Sequence, residues 1–129
     1  MITIEQLKEI QQRADKLKQY LAIDEKRVQL EEEELRTQDP GFWEDAKAAE
    51  AQMRKVKGIK AWIEGYEGVR SATEELQLAF DYCKEELVTE DEVDSAYAHA
   101  VKEVEALEMK NMLSHEEDQM PAVLKIVSG

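Results

Sequence analysis

Residues 44–87 read EDAKAAEAQMRKVKGIKAWIEGYEGVRSATEELQLAFDYCKEEL. Apolar side chains recur along them at Ala49, Met53, Val56, Ile59, Ile63, Tyr66, Val69, Leu76, Phe80, Cys83 and Leu87, with Thr73 the least apolar member of the series. Every step is three or four residues, the period of one buried stripe on an α-helix. A helix of that length is a rod of about 65 Å. It cannot fold back on itself, so its stripe must be covered by the segments on either side. Gly58, Gly65 and Gly68 weaken the rod by up to about 1 kcal/mol each, and Ser71-Ala-Thr-Glu74 could start a new helix. The stripe nevertheless keeps its phase, which predicts one rod, bent at most near Gly65 and Gly68.

The flanking segments supply matching stripes. Thr3 with Gln6 forms a weak capping box, and Ile4, Leu7, Ile10, Ala14, Leu17 and Leu21 follow at helical spacing. Leu7, Ala14, Leu21, Val28 and Leu35 recur every seven residues. The intermediate set turns polar at Asp24 and Glu31, so the pattern predicts two near-continuous helices. The break falls around Ala22 to Asp24, with Asp24 as N-cap and Ile23 and Val28 in staple positions. The second helix then runs to about Thr37. Asp39-Pro-Gly41 makes a turn, and Phe42 and Trp43 are expected to plug the end of the bundle. Thr89-Glu-Asp-Glu92 is a second capping box, flanked by Val88 and Val93. The last helix carries Val93, Tyr97, Ala100, Val104 and Leu107 and fades near Leu113.

The expected fold is therefore all-α: an elongated antiparallel helical bundle or hairpin built on one long helix. Residues 1–113 form the helical domain and 114–121 a loop. Residues 122–129 begin a further α/β domain with a short orphan β-strand, because Ala122-Val-Leu-Lys-Ile-Val127 is rich in β-branched residues and has no partner strand in this chain.

Composition agrees with long helices. Charged residues make up 36%, aromatics 6%, and Gly and Pro together number seven, so turns are few. The net charge of −13 argues against nucleic-acid or anionic-membrane binding by the whole surface. The charge is uneven, however. Residues 40–63 hold five basic side chains against three acids, and residues 64–129 hold five against seventeen. Within the basic stretch Lys47 and Arg54 point directly away from the apolar stripe, with Lys55 and Lys57 flanking them. These four make a candidate contact for RNA phosphates or an acidic protein.

No catalytic constellation is found. His99 and His115 lack the Glu three residues earlier that a carboxylate-bundle metal site requires, since Ala96 and Met112 stand there. CxxC, HExxH, GxGxxG and P-loop patterns are all missing. The run Glu31–Glu34 reads as a solvated face, because consecutive helical residues point in different directions, and the acidic residues 116–118 read the same way. The single cysteine, Cys83, lies on the stripe as a small hydrophobe and fits a reducing cytoplasm. Neither a signal peptide nor a membrane-spanning run is legible. The reading is of a non-enzyme with no cofactor, no metal and no small-molecule substrate.

Two stretches carry a resemblance. Tyr20-Leu-Ala-Ile-Asp-Glu-Lys-Arg-Val-Gln-Leu-Glu-Glu-Glu-Glu-Leu35 with Gln38-Asp-Pro-Gly-Phe-Trp-Glu-Asp45, and Leu107-Glu-Met-Lys-Asn-Met-Leu-Ser-His-Glu116, are similar to the N-terminal helical domain of the bacterial peptide chain release factor 2 family, class I release factors. Val123 to Gly129 resembles the strand leading into that family's Gly-rich segment. The resemblance implies a cytoplasmic translation-termination factor that recognises UAA and UGA through Ser-Pro-Phe and promotes peptidyl-tRNA hydrolysis through Gly-Gly-Gln. Neither tripeptide occurs in this sequence. The helical domain would then contact the large ribosomal subunit near its stalk base, touching rRNA and ribosomal protein. The assignment of Lys47, Arg54, Lys55 and Lys57 to that contact comes from charge, not from the family. A free-standing helical-hairpin adaptor or chaperone is the competing reading, and stripe area that other domains would cover offers the isolated chain a route to self-association.

Overall fold

The computed structural model describes residues 1–128, with side chains described for 1–115. Four α-helices and one short 3-10 turn follow each other: α1 (Ile4–Tyr20), α2 (Ile23–Arg36), the 3-10 turn Phe42–Glu44, α3 (Ala46–Lys84) and α4 (Glu90–Ser128). The long central helix is unbroken, as the continuous stripe predicts. Asp45 starts it by accepting a hydrogen bond from the Ala48 amide at 3.1 Å, which satisfies one of the orphan donors of the first turn. Thr3 and Gln6 form the expected capping box on α1. Thr89 accepts from the Glu92 amide at 3.2 Å at the start of α4.

α3 is the spine, and α1, α2 and α4 all pack against it. Gln11 reaches Gln77, and Gln52 reaches Glu33, so α1 and then α2 run antiparallel to α3. α4 also runs antiparallel to α3, bringing Leu107 beside Gly65 and Glu103 beside Gly68. At Gly65 an added Cβ would lie 3.0 Å from Leu107 Cδ1, so the missing side chain is what lets α4 approach there. α1 and α4 are parallel neighbours, tied at one end by the Met1 ammonium and Asp94 at 3.0 Å. At the other, Arg13 holds Glu108 through Nε and Nη2 at 3.1 and 2.5 Å.

The main core lies between α1, the second half of α3 and the first half of α4. Leu7, Ile10, Leu17, Tyr66, Val69, Leu76, Phe80, Val93, Ala100, Val104 and Leu107 are buried there. Ala49, Val56 and Ile59, on the first half of α3, are buried outside that cluster. The chain thus has a three-helix body and an arm built from α2 and the start of α3.

Two connections depend on left-handed residues that are not glycine. Ala22 has φ 49°, and Glu86 has φ 62°. At the end of α3 the Glu86 amide donates to the Cys83 carbonyl at 3.0 Å and the Leu87 amide to the Tyr82 carbonyl at 2.9 Å. That is the Schellman pattern, with glutamate where glycine is the usual occupant. Ala22, not Asp24, stands at the start of α2, and no side-chain cap is present. Asp24 instead lies in the first turn and pairs with Arg27 at 3.2 Å.

Three further expectations are corrected. Trp43 does not plug the bundle: it is 68% exposed and stacks edge-on with the half-buried Phe42, ring centroids 4.8 Å apart. Met53 and Leu87, two members of the long stripe, are exposed rather than buried. Residues 114–121 are not a loop and 122–127 are not a strand, because α4 runs through both to Ser128. A strand needs a neighbour for its backbone groups, and no strand exists among the described residues. The helix satisfies those groups within the segment. Gly129 lies outside the described residues.

A candidate docking site on the arm

The first turns of α3 stand at the tip of the arm. Ala49, Val56 and Ile59 turn inward and are buried. Lys47, Glu50, Arg54 and Lys57, at steps of three, four and three residues, share the opposite side and are exposed. Arg54 pairs with Glu50 one turn earlier at 3.3 Å, with both side chains at least 70% exposed. Such a solvated pair contributes little to stability and leaves the guanidinium accessible. Lys47 and Lys57 make no ion pair among the described residues. Arg54 and Lys57 also line a shallow surface groove with Glu50, Met53, Val56 and Lys60.

The fourth cation chosen from the sequence behaves differently. Lys55 turns toward α2 and places Nζ 3.4 Å from Glu33 Oε1. Glu33 is itself only 4% exposed. Its carboxylate accepts from Gln52 Nε2 at 2.7 Å and lies 3.6 Å from Arg36 Nη1. The Gln52 hydrogen bond, followed by Lys55 and the charge of Arg36, holds this carboxyl below its ordinary range. Lys60 likewise engages Glu34 at 3.2 Å. The sequence reading of Glu31–Glu34 as a solvated face therefore fails at Glu33. The missed signal is phase: Glu33 falls ten residues after Ile23 and three after Leu30, on the side that meets α3.

The waist between arm and body carries a second ionic cluster. Arg27 on α2 bridges to Glu67 on α3. Glu67 also accepts from Arg70 Nε and Nη2 at 2.8 and 2.5 Å. These hydrogen bonds, Arg70 first and Arg27 next, lower the Glu67 carboxyl. Beside them Trp62 is half-buried, with Lys110 Nζ 4.4 Å and Lys26 Nζ 5.9 Å from its ring centroid, a cation–π arrangement from two helices.

No group of three or more His, Cys, Asp or Glu poised for a metal occurs among the described residues. His99 is half-exposed and stands 4.0 Å from Glu103 on the same helix. Cys83 is half-buried and packs against the body core. No helix among the described residues is long and apolar enough to cross a membrane. The side chains of the acidic residues 116–118 lie outside the described residues.

The family comparison gives the kind of domain to which this helical spine belongs. Residues 25–129 match the PCRF domain, and the chain belongs to that family. Its relatives carry the name peptide chain release factor 2. The protein of Pseudoalteromonas translucida is 32% identical over 98% of this chain and 35% of its own length. That of Listeria innocua is 29% identical over 94% of this chain and 34% of its own length, and that of Frankia casuarinae is 25% identical over 97% and 34%. The chain spans about a third of the length of these relatives. The resemblance read from the Tyr20–Asp45 and Leu107–Glu116 stretches is thus met across nearly the whole chain.

Proposed function

We propose that this chain is a ribosome-docking element of a translation-termination factor, acts in the cytoplasm, and performs no catalytic step of its own. Its family membership supports a role in termination. The observation that carries the docking role is the exposed strip Lys47, Arg54 and Lys57 at the tip of an arm that is otherwise acidic. Three cations at helical spacing on a protruding rod suit the phosphates of ribosomal RNA, where each contact releases condensed counterions. Stop-codon reading and peptidyl-tRNA hydrolysis belong, on this reading, to parts of the factor bearing Ser-Pro-Phe and Gly-Gly-Gln, tripeptides this sequence does not contain.

The test is charge reversal in the strip. Lys47→Glu, Arg54→Glu and Lys57→Glu together should weaken ribosome association about ten-fold or more and reduce its salt dependence by about one log unit per cation removed. Lys55→Ala, which removes a partner of Glu33, should affect binding less and the stability of the arm more. Unchanged affinity and salt slope in the triple variant would contradict the proposal.

A further inference from the structure

α4 sorts its charges around its circumference. Between residues 102 and 113 it holds three acids and two bases. The acids turn toward neighbouring helices. Glu108 is held by Arg13 of α1, Glu105 lies one turn earlier on the same side, and Glu103 stands beside Gly68 of α3. Lys102 and Lys110 are exposed and form no ion pair among the described residues. Exposed with them are Ala106, Met109 and Leu113, the last two by 56% and 47%. Lys110 and these three apolar residues line an open groove together with Trp62 of α3.

Two cations converge on Trp62. Lys110 Nζ stands 4.4 Å and Lys26 Nζ, from α2, 5.9 Å from its ring centroid. Lys26 also donates to the Leu21 carbonyl, and neither lysine has a carboxylate partner among the described residues. Each ammonium is attracted to the ring, but the two repel each other. In a chain of net charge −13, this arrangement is completed by an anionic ligand. The apolar side chains beside the lysines decide which anion. Single-stranded nucleic acid needs a free aromatic face for base stacking, whereas a cation already lies over this ring. A symmetric second copy would set Lys102 and Lys110 against themselves. Met109 and Leu113 call for aliphatic partners, and methionine adapts to their shape. A protein helix with aliphatic residues at three- or four-residue spacing and glutamate or aspartate beside them meets both needs.

We propose that the Trp62 groove docks an acidic amphipathic helix of a protein partner, with carboxylates on Lys26 and Lys110 and aliphatic side chains on Met109 and Leu113. The groove shares no residue with the strip of Lys47, Arg54 and Lys57. The inference goes beyond the docking role of that strip and does not rest on it.

The experiment uses Trp43→Phe, which leaves Trp62 as the single tryptophan. The probe is a designed helical peptide with leucines one turn apart, glutamates beside them and alanine elsewhere. Trp62 emission follows the unlabelled peptide, and anisotropy follows a fluorescein-labelled one. Both signals should show saturable binding that weakens as salt is raised. Lysine in place of the peptide glutamates should lower affinity about ten-fold or more, and so should Lys26→Gln with Lys110→Gln in the protein. Met109→Ser with Leu113→Ser should cost a similar factor. Helix content and unfolding temperature should stay unchanged in both variants, since none of the four side chains belongs to the core. Charge reversal of Lys47, Arg54 and Lys57 should change peptide affinity by no more than about two-fold at physiological salt, where exposed charges beyond a Debye length are screened. A larger loss would place the peptide on the strip and overturn the inference. So would no saturable binding, equal affinity for the lysine peptide, or full affinity in the Lys26→Gln, Lys110→Gln variant. Tighter binding of a uridine oligonucleotide at Trp62, or sedimentation showing that chains pair through this groove without peptide, would overturn it as well.

Discussion

The two halves of α3 differ in what covers them. From Tyr66 to Phe80 the helix is roofed by α1 and α4, and its inward residues are apolar and nearly sealed, with Val69 and Leu76 at 0% exposure. From Ala49 to Ile59 its described cover is α2, and the contact mixes small aliphatics with the Glu33–Gln52–Lys55 cluster. A stripe of constant period is thus covered in two ways, by an apolar core in the body and by a mixed apolar and ionic contact in the arm. Apolar periodicity alone states that a side is covered; the chemistry of the cover decides how firmly.

The largest effect that separates the halves should come from cavities. Leu76→Ala should destabilise the protein by about 4 kcal/mol and Ile59→Ala by about 2, the upper and lower parts of the range for buried aliphatic truncation. Thermal unfolding read by circular dichroism checks this. Equal losses would mean that the arm is packed as tightly as the body.

Relief of backbone strain should come next. Glu86→Gly and Ala22→Gly place the permissive residue at the two left-handed positions, and each should stabilise by about 0.5–1 kcal/mol after the entropy cost of glycine. Gly58→Ala, where an added Cβ meets nothing within 4 Å, should stabilise the arm by about 0.5–1 kcal/mol through helix propensity. Denaturant midpoints at constant slope measure all three.

The smallest effects should be titrations of opposite sign in the two regions. The Glu33 and Glu67 carboxyls are lowered below their ordinary 4.5. Their contribution is therefore present above pH 4.5 and is lost as pH falls through their folded values. The Met1 ammonium is raised above 8.0, chiefly by its hydrogen bond to Asp94. That contribution is present below pH 8.0 and is lost as pH rises through the folded value. Acid should loosen the arm and waist first, and alkali the α1–α4 seam. Amide chemical shifts across a pH series would report which helix moves.

Much of the body was legible from sequence because its signals are local and periodic: the unbroken stripe of α3, the Thr3–Gln6 box, and the Thr89 cap ahead of Val93. The arm was less so. The break around Ala22 to Asp24 was legible, but a left-handed alanine has no signature in composition, and the seven-residue recurrence of Leu21, Val28 and Leu35 does not tell that only Leu21 is buried. The Schellman turn carries Glu86 where the glycine signal is expected. Trp43 is apolar and large, yet its turn lies outside the packed layers. Of the four cations chosen by charge, Lys47, Arg54 and Lys57 stand on the exposed strip, while Lys55 is drawn to an acid hidden within a run of four glutamates. Pairing across helices is a tertiary fact, and net charge along a sequence does not reveal it.

Hydrogen exchange with and without ribosomes tests most directly whether the arm is the docking region and the body its support. The account predicts that amides of residues 23–36 and 46–60 slow when ribosomes are added, while those of α1 and of residues 90–107 keep their rates. Slowing confined to α1 and the start of α4, with the arm unchanged, would contradict it.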